Sequence, residues 1–293
     1  MMVAMNLVWG ASYLVADIGL REMTPAGLAA WRFLIATLVF FPILVVRRSR
    51  ISIRRADIVR IVAIGGITVA GSYLLTYQGI LLASSTDRAV VSPLEPVALA
   101  IMGAIFLRER LAGRQWAGIA VACIGAYLLV SRHGFGRASE RVMLGQGLML
   151  LSFFTEGLYS ILGKPLLGRY RPLVLTVWAM LFATIILFLT AAFKGGLPAP
   201  PHTLTTWLAV LFLAIPCSVV GYTLWYLVLE HMPAGKVGVF VFLQPVVGIG
   251  LGMLFRAERA TLLLLAGTLL VVLGVWLTGG GAVEALPVAE PSA

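Results

Sequence analysis

The sequence predicts an all-α membrane protein in which ten transmembrane helices form two inverted five-helix repeats around a central cavity. Three observations predict it. The chain of 293 residues is 60% hydrophobic and only 12% charged, where a soluble domain carries about 25% charged residues. Its apolar residues fall into ten runs of near-bilayer length, a span needing about 20 predominantly apolar residues. The second half of the chain repeats the first.

The runs follow in order. Residues 2–20 open MMVAMNLVWGASYLV, without a basic stretch or a clear cleavage site, and read as a span, not a cleaved signal peptide. Residues 26–46 follow Pro25 and hold Arg32. The arginine-rich stretch 47–57 leads to 58–79, which carries Tyr73 and Tyr77. The run 88–107 is interrupted by Pro93, Glu95 and Pro96. Residues 113–131 lack a central ionisable group. Residues 143–165 hold Glu156, and 172–193 begin on Pro172 and hold Trp178. The stretch KGGLPAPPHTL, 194–204, is marked as a loop by glycine and proline. Residues 205–229 carry Tyr222, Trp225 and Tyr226; 236–255 carry Gln244 and Pro245; 260–279 close the set. The first repeat is expected at 1–134 and the second at 143–279. The tail 280–293 has no periodicity and is expected to be a disordered cytoplasmic segment.

The duplication has a register. An offset of 149 takes Tyr73 to Tyr222, Tyr77 to Tyr226, Pro96 to Pro245, Gly103 to Gly252, Glu109 to Glu258 and Gly125 to Gly274. Upstream, an offset of 147 takes Gly10 to Gly157, Pro25 to Pro172, Trp31 to Trp178 and Thr37 to Thr184. Glu95 falls on Gln244, and Trp9 on Glu156. Five helices per copy force the copies to insert with opposite topology, the plan of many secondary transporters with a site at the repeat interface. Loops after even-numbered runs carry 13 Lys and Arg and the others 8, which places both termini in the cytoplasm.

Proline carries the chemistry of the fourth run. Pro93 and Pro96 leave the carbonyls of Ala89 and Ser92 without helical donors. In hydrocarbon those groups need another donor or a wet or proteinaceous neighbour. A carboxyl at that depth costs about 2.5–3.5 kcal/mol on insertion scales. A broken helix beside Glu95 therefore predicts a cavity; a proline kink with its glutamate satisfied by a neighbouring helix is the plain alternative. A protonated Glu95 would donate to the carbonyl freed by Pro96, and Gln244 to the Val241 carbonyl freed by Pro245. Pro93, Pro96 and Pro245 are read as structural helix breaks.

The remaining candidates are polar aromatics. Trp9 and Tyr13, Tyr73 and Tyr77, and Tyr222 and Tyr226 are each four residues apart and share a helix face. Their polar tips suit a wet cavity, an interfacial belt being the alternative. The expected substrate-binding set is Trp9, Tyr13, Tyr73, Tyr77, Glu95, Glu156, Trp178, Tyr222, Tyr226 and Gln244. Arg32 beside the central carboxylates offers both poles for a zwitterion, or else a structural salt bridge with Asp17 or Glu95. Gly118 with Ala122 forms a small-xxx-small step for helix packing. The helices at 113–131 and 260–279 are expected outside the cavity or in a dimer contact. Cys123 and Cys217 lie in apolar runs and read as small core residues.

Three blocks together resemble the drug/metabolite transporter superfamily in its EamA-type branch of ten-helix carriers. They are Trp9-Gly10 with Pro25 and Trp31-Arg32-Phe33; Ala89 through Leu94-Glu95-Pro96 to Phe106-Leu107-Arg108-Glu109-Arg110; and the echo from Pro233 through Leu243-Gln244-Pro245 to Glu258-Arg259. The resemblance covers residues 2 to 279. It implies export of amino acids or other small metabolites across the bacterial inner (cytoplasmic) membrane by alternating access. Asp17 departs from the family pattern, where a basic residue is common; Lys164 keeps one in the second copy.

Other function classes fit less well. His133, His202 and His231 lie in loops or at span ends without an HExxH or Cys/His cluster, so an enzyme is not expected, and neither a cofactor nor a metal is required. Filter loops and charged rings of a channel are missing. The net charge of +10 sits in short clusters between apolar runs, as in cytoplasmic loops, so no nucleic acid is expected. Partners are a small-molecule substrate and the bilayer, with homodimer and monomer both open. Proton-coupled export of lipophilic cationic drugs is the alternative reading, since a central carboxylate attracts such cations.

Overall fold

The computed structural model describes residues 2–46, 52–83, 92, 94–109, 112–131, 140–193, 196–244, 247, 250, 251, 254 and 262–279. These are helices and their connections, with no strand among the described residues. Among the described residues six helices are long and apolar enough to cross a membrane. They are α1 (Met2–Leu20), α2 (Pro25–Val46), α3 (Arg55–Leu82), α6 (Glu140–Leu167), α7 (Pro172–Phe193) and α8 (Leu204–Leu229). Between and after them lie α4 (Leu94–Phe106), α5 (Gly113–Ser131), α9 (Ala234–Val239) with a 3-10 turn at Phe240–Phe242, and α10 (Leu262–Gly279). The expected tail 280–293, Pro93 and Pro245 lie outside the described residues. Helices α3 and α6 start three residues earlier than their apolar runs, because polar first turns at Arg55 and Glu140 extend them.

Local chemistry explains several helix starts. Pro25 and Pro172 occupy first-turn positions, where the missing N–H costs nothing. Thr203 caps α8 by accepting the Thr206 N–H at 3.2 Å. Large apolar side chains such as Leu38, Ile105, Phe193 and Leu269 remain exposed on the outside, as a lipid-facing surface requires. The interior is filled by Phe33 and Phe40 of α2 against Val174, Met180 and Leu187 of α7.

Packing is paired across the two halves. Helix α3 packs on α6 and α7, α8 packs on α1 and α2, α2 meets α7, and α4 meets α9. Helices α5 and α10 pack on each other away from the centre. Gly274 lies so close to the Gly118–Ala122 step that an added Cβ would stand 2.5 Å from the Gly118 carbonyl oxygen. The small-residue face is therefore occupied within the chain and not held for a second copy.

Both long helices α3 and α8 change register midway. Each contains a π-helical segment, Ile64–Gly71 and Leu213–Val220, and the 149 offset superposes the two. Pro216 accounts for the second by removing a backbone donor. The first has no proline. A π turn inserts a residue into the helical ladder, often at functional sites; Thr68 of the first segment lines the central cavity and Ser218 of the second accepts from Arg32.

Two polar clasps tie the ends. In the α1–α2 turn, Glu22 accepts from the backbone N–H of His202 and from the hydroxyls of Thr203 at 2.7 Å and Thr206. At the opposite end, Asp57 of α3 accepts from Arg169 at 3.2 Å and from the Tyr170 hydroxyl at 2.7 Å. The repeat register maps Glu22 onto Arg169 and Thr206 onto Asp57, so the second clasp carries its carboxylate on the opposite partner. Hydrogen bonds from Thr206, then Thr203, then the His202 backbone hold the Glu22 carboxyl down at about 2. A depressed carboxyl contributes stability that is complete above the unfolded value near 4.5 and fades as pH falls through the folded one. Hydrogen exchange in the segment 196–206 should therefore stay protected from pH 7 to about pH 4 and quicken only toward pH 2. Quickening already near pH 5 would contradict the clasp.

Candidate functional site

A central cavity of about 70 Å³ is lined by residues of α1, α2, α3, α4, α6 and α8 together with Gln244. That volume holds a handful of water molecules. Its wall includes Arg32, Glu95 and Glu156, set among Trp9, Tyr13, Tyr73, Tyr77, Tyr222 and Gln244. The sequence-predicted candidates thus converge, with two exceptions.

Tyr226 and Trp178 are not in the wall. Tyr226 is fully buried behind it, where its ring stacks on Tyr159 at 4.2 Å and its hydroxyl donates to the Tyr159 carbonyl at 3.2 Å. Shared helix face with Tyr222 was insufficient, because a neighbouring ring stands between. Trp178 is half-buried and stacks on Phe182 within α7. Its repeat mate Trp31 meets Trp207 and donates to the Pro198 carbonyl at 3.2 Å, also away from the cavity. Pro96 is buried at the start of α4.

Arg32 is the most constrained group. It is 2% exposed. Nε donates to Ser218 at 2.8 Å, Nη1 to the Tyr77 hydroxyl at 2.9 Å and Nη2 to the Tyr73 hydroxyl at 3.0 Å. The guanidinium carbon also lies 4.1 Å from the Tyr73 ring centroid, a cation–π distance. Arginine stays charged in proteins, so a permanent positive charge is fixed beside the cavity by three neutral hydroxyls. Asp17, an expected partner, bonds at 3.4 Å to Arg21 in the turn that follows α1. The π segment of α8 supplies Ser218, whose hydroxyl in turn donates to the Leu213 carbonyl at 3.0 Å.

The carboxylates differ. Glu156 accepts from Ser72 at 2.7 Å and faces the cavity from α6. Glu95 is half-buried in the first turn of α4. Its backbone N–H donates to the Ser92 carbonyl at 3.0 Å, so the carbonyl freed by Pro96 already has a backbone donor. Gln244 also departs from expectation. Its amide donates to Asn6 at 3.0 Å and accepts from the Tyr13 hydroxyl, which ties it to α1 instead of to the Val241 carbonyl.

Sequence reasoning missed Thr68, Thr76, Tyr159 and Trp225 as cavity residues. Trp225 donates to Ser160 at 2.9 Å. The Tyr159 hydroxyl is the buried side-chain polar atom without a hydrogen-bond partner among the described residues. Their signal was a polar group within an apolar run, the criterion applied only to charged residues and tyrosine pairs. Two contacts join repeat mates directly: Tyr222 donates to Tyr73 at 3.0 Å, and the Thr37 and Thr184 hydroxyls lie 3.2 Å apart.

Comparison with known proteins supplies the context. The model of the EamA-like transporter family matches residues 1–131 and again 143–280. An uncharacterized transporter of Archaeoglobus fulgidus is 30% identical over 269 residues, covering 92% of this chain and 94% of that protein. A probable amino-acid metabolite efflux pump of Escherichia coli is 29% identical over 283 residues, covering 92% and 91%. A solved crystal structure at 20% identity shares the fold with a TM-score of 0.77, covering 94% of this chain and 96% of that one.

Proposed function

From the premise that the chain belongs to the EamA-like transporter family, we propose that it exports amino acids or similar small metabolites across the cytoplasmic membrane by alternating access. The carrying observation is one small cavity walled by a fixed cation, Arg32, and by the carboxylates Glu95 and Glu156. A zwitterion has one group for each pole. The naming of a relative as a probable amino-acid metabolite efflux pump supports the same class. Arg32 offers a partner for the carboxylate pole that a lipophilic cation lacks.

Ten spans in two inverted repeats, 1–134 and 143–279, form the frame we infer for this cycle. Its support lies in the contacts between repeat mates. A residue on a two-fold axis meets its own symmetry mate, and Tyr73–Tyr222 and Thr37–Thr184 do so. The exchange of partners between α3 with α6 and α7 and α8 with α1 and α2 supports it further. In this reading the two end clasps lie at opposite membrane faces and both termini are cytoplasmic. Cysteines placed at Ser49 and Ser84 should label from opposite sides of oriented membranes; labelling from one side would refute the topology.

Function is tested in proteoliposomes by counterflow of a radiolabelled amino-acid panel, with and without a pH gradient. Saturable exchange of at least one amino acid is expected. Exchange of hydrophobic cations alone would transfer the assignment to drug export.

A further inference from the structure

The pseudo-symmetry of the cavity is broken where Trp9 answers Glu156, and that break has a chemical sense. The register places Trp9 opposite Glu156, and Gly221 opposite Ser72. In the structure Ser72 meets Glu156 and Gly221 meets Trp9. Ser72 donates to Glu156 at 2.7 Å. Trp9 lies so close over Gly221 that an added Cβ would stand 2.7 Å from the indole nitrogen. One contact between the copies thus sets a carboxylate on a hydroxyl, and its symmetry mate seats an indole on a glycine.

The seat is built by the π segment. The Gly221 N–H reaches back to the Pro216 carbonyl and so skips the Cys217 carbonyl, the partner a regular α-helix would give it. The indole of Trp9 donates to that Cys217 carbonyl at 2.9 Å. Tyr222 and Trp225 hold the ring from the sides, with centroids 5.8 and 5.6 Å away. The ring's position is therefore set by a backbone acceptor, two aromatic neighbours and the missing side chain at 221.

We propose that the Trp9–Gly221 pair is the specificity determinant of the cavity, a retracted indole that sets how large an apolar substituent the site admits, while Glu156 with Ser72 receives the substrate's ammonium. This deepens the export reading and rests on the same cavity. A Cβ at 221 pushes the indole inward and shrinks the apolar pole. A phenyl ring at position 9 lacks the N–H for Cys217 and leaves more room. One methylene in an apolar pocket is worth about 10–200-fold in discrimination.

Two readouts test it on the purified full chain. The first is the thermal shift given by n-alkylammonium ions of rising chain length, which requires no transport. Wild type should show a length cutoff; Gly221→Ala should shorten it by a carbon or more, and Trp9→Phe should lengthen it. The second is the leucine-to-alanine ratio of kcat/KM in counterflow, expected to fall about tenfold in Gly221→Ala and to rise in Trp9→Phe. If Gly221→Ala does not fold, Trp9→Phe alone decides, since its smaller ring removes no backbone contact except the bond to Cys217. A cutoff that Trp9→Phe leaves unchanged, or no alkylammonium binding by wild type, overturns the proposal. A cutoff that moves as expected while no amino acid is exchanged sustains the determinant and refutes the export reading.

Discussion

Glu156→Gln should lower the initial rate of substrate exchange at least about tenfold while leaving the protein level unchanged. The amide keeps an oxygen to accept from Ser72, which donates at 2.7 Å, so the packing of α6 on α3 survives. The negative charge does not. A hydrogen bond to a charged group is worth about 1.5–3 kcal/mol, which corresponds to roughly 10–150-fold in binding an ammonium. Glu95→Gln is the control. It copies the second repeat, where Gln244 stands, and the freed carbonyl of Ser92 keeps its donor in the Glu95 backbone N–H. Much of the exchange should remain. Initial rates for both variants across pH, in liposomes of equal protein content, give the comparison. A wild-type profile from Glu156→Gln with dead exchange from Glu95→Gln would reverse the two roles.

Arg32→Lys should be nearly as damaging as Arg32→Met, although it preserves charge. Three separate nitrogens of Arg32 reach Ser218, Tyr77 and Tyr73, on two different helices. An ammonium is a point donor and cannot span that fork. At least one hydroxyl pair is then lost in a fully buried place, and each such bond to a charged group is worth about 1.5–3 kcal/mol. The apparent melting midpoint should fall by about 5 °C or more, and substrate exchange should be lost. Differential scanning fluorimetry with counterflow on the same preparations measures both. Arg32→Lys with a wild-type midpoint and wild-type exchange would mean that the fork holds nothing.

The sequence by itself determined the class of molecule and the candidates for its centre. Composition required lipid, and the 147 and 149 offsets paired Thr37 with Thr184 and Tyr73 with Tyr222. Those features are local or periodic, and one chain displays them completely. What only the tertiary structure decided is who meets whom. Arg32 was legible as a buried cation, but its partners are hydroxyls of α3 and α8 instead of Asp17. The π segment Ile64–Gly71 has no proline to announce it, and one extra residue in a helical turn changes the face that later side chains present. Tyr226 and Trp178 failed for a related reason. Helices apolar on all sides carry almost no periodic signal of which face turns inward, so neighbours decide it: the Tyr159 ring took Tyr226 out of the wall, and Phe182 took Trp178. The Glu22 clasp joins residues 180 or more apart in the chain, and no local pattern encodes such a meeting. It exists only because the packed helices bring the α1–α2 turn to the start of α8.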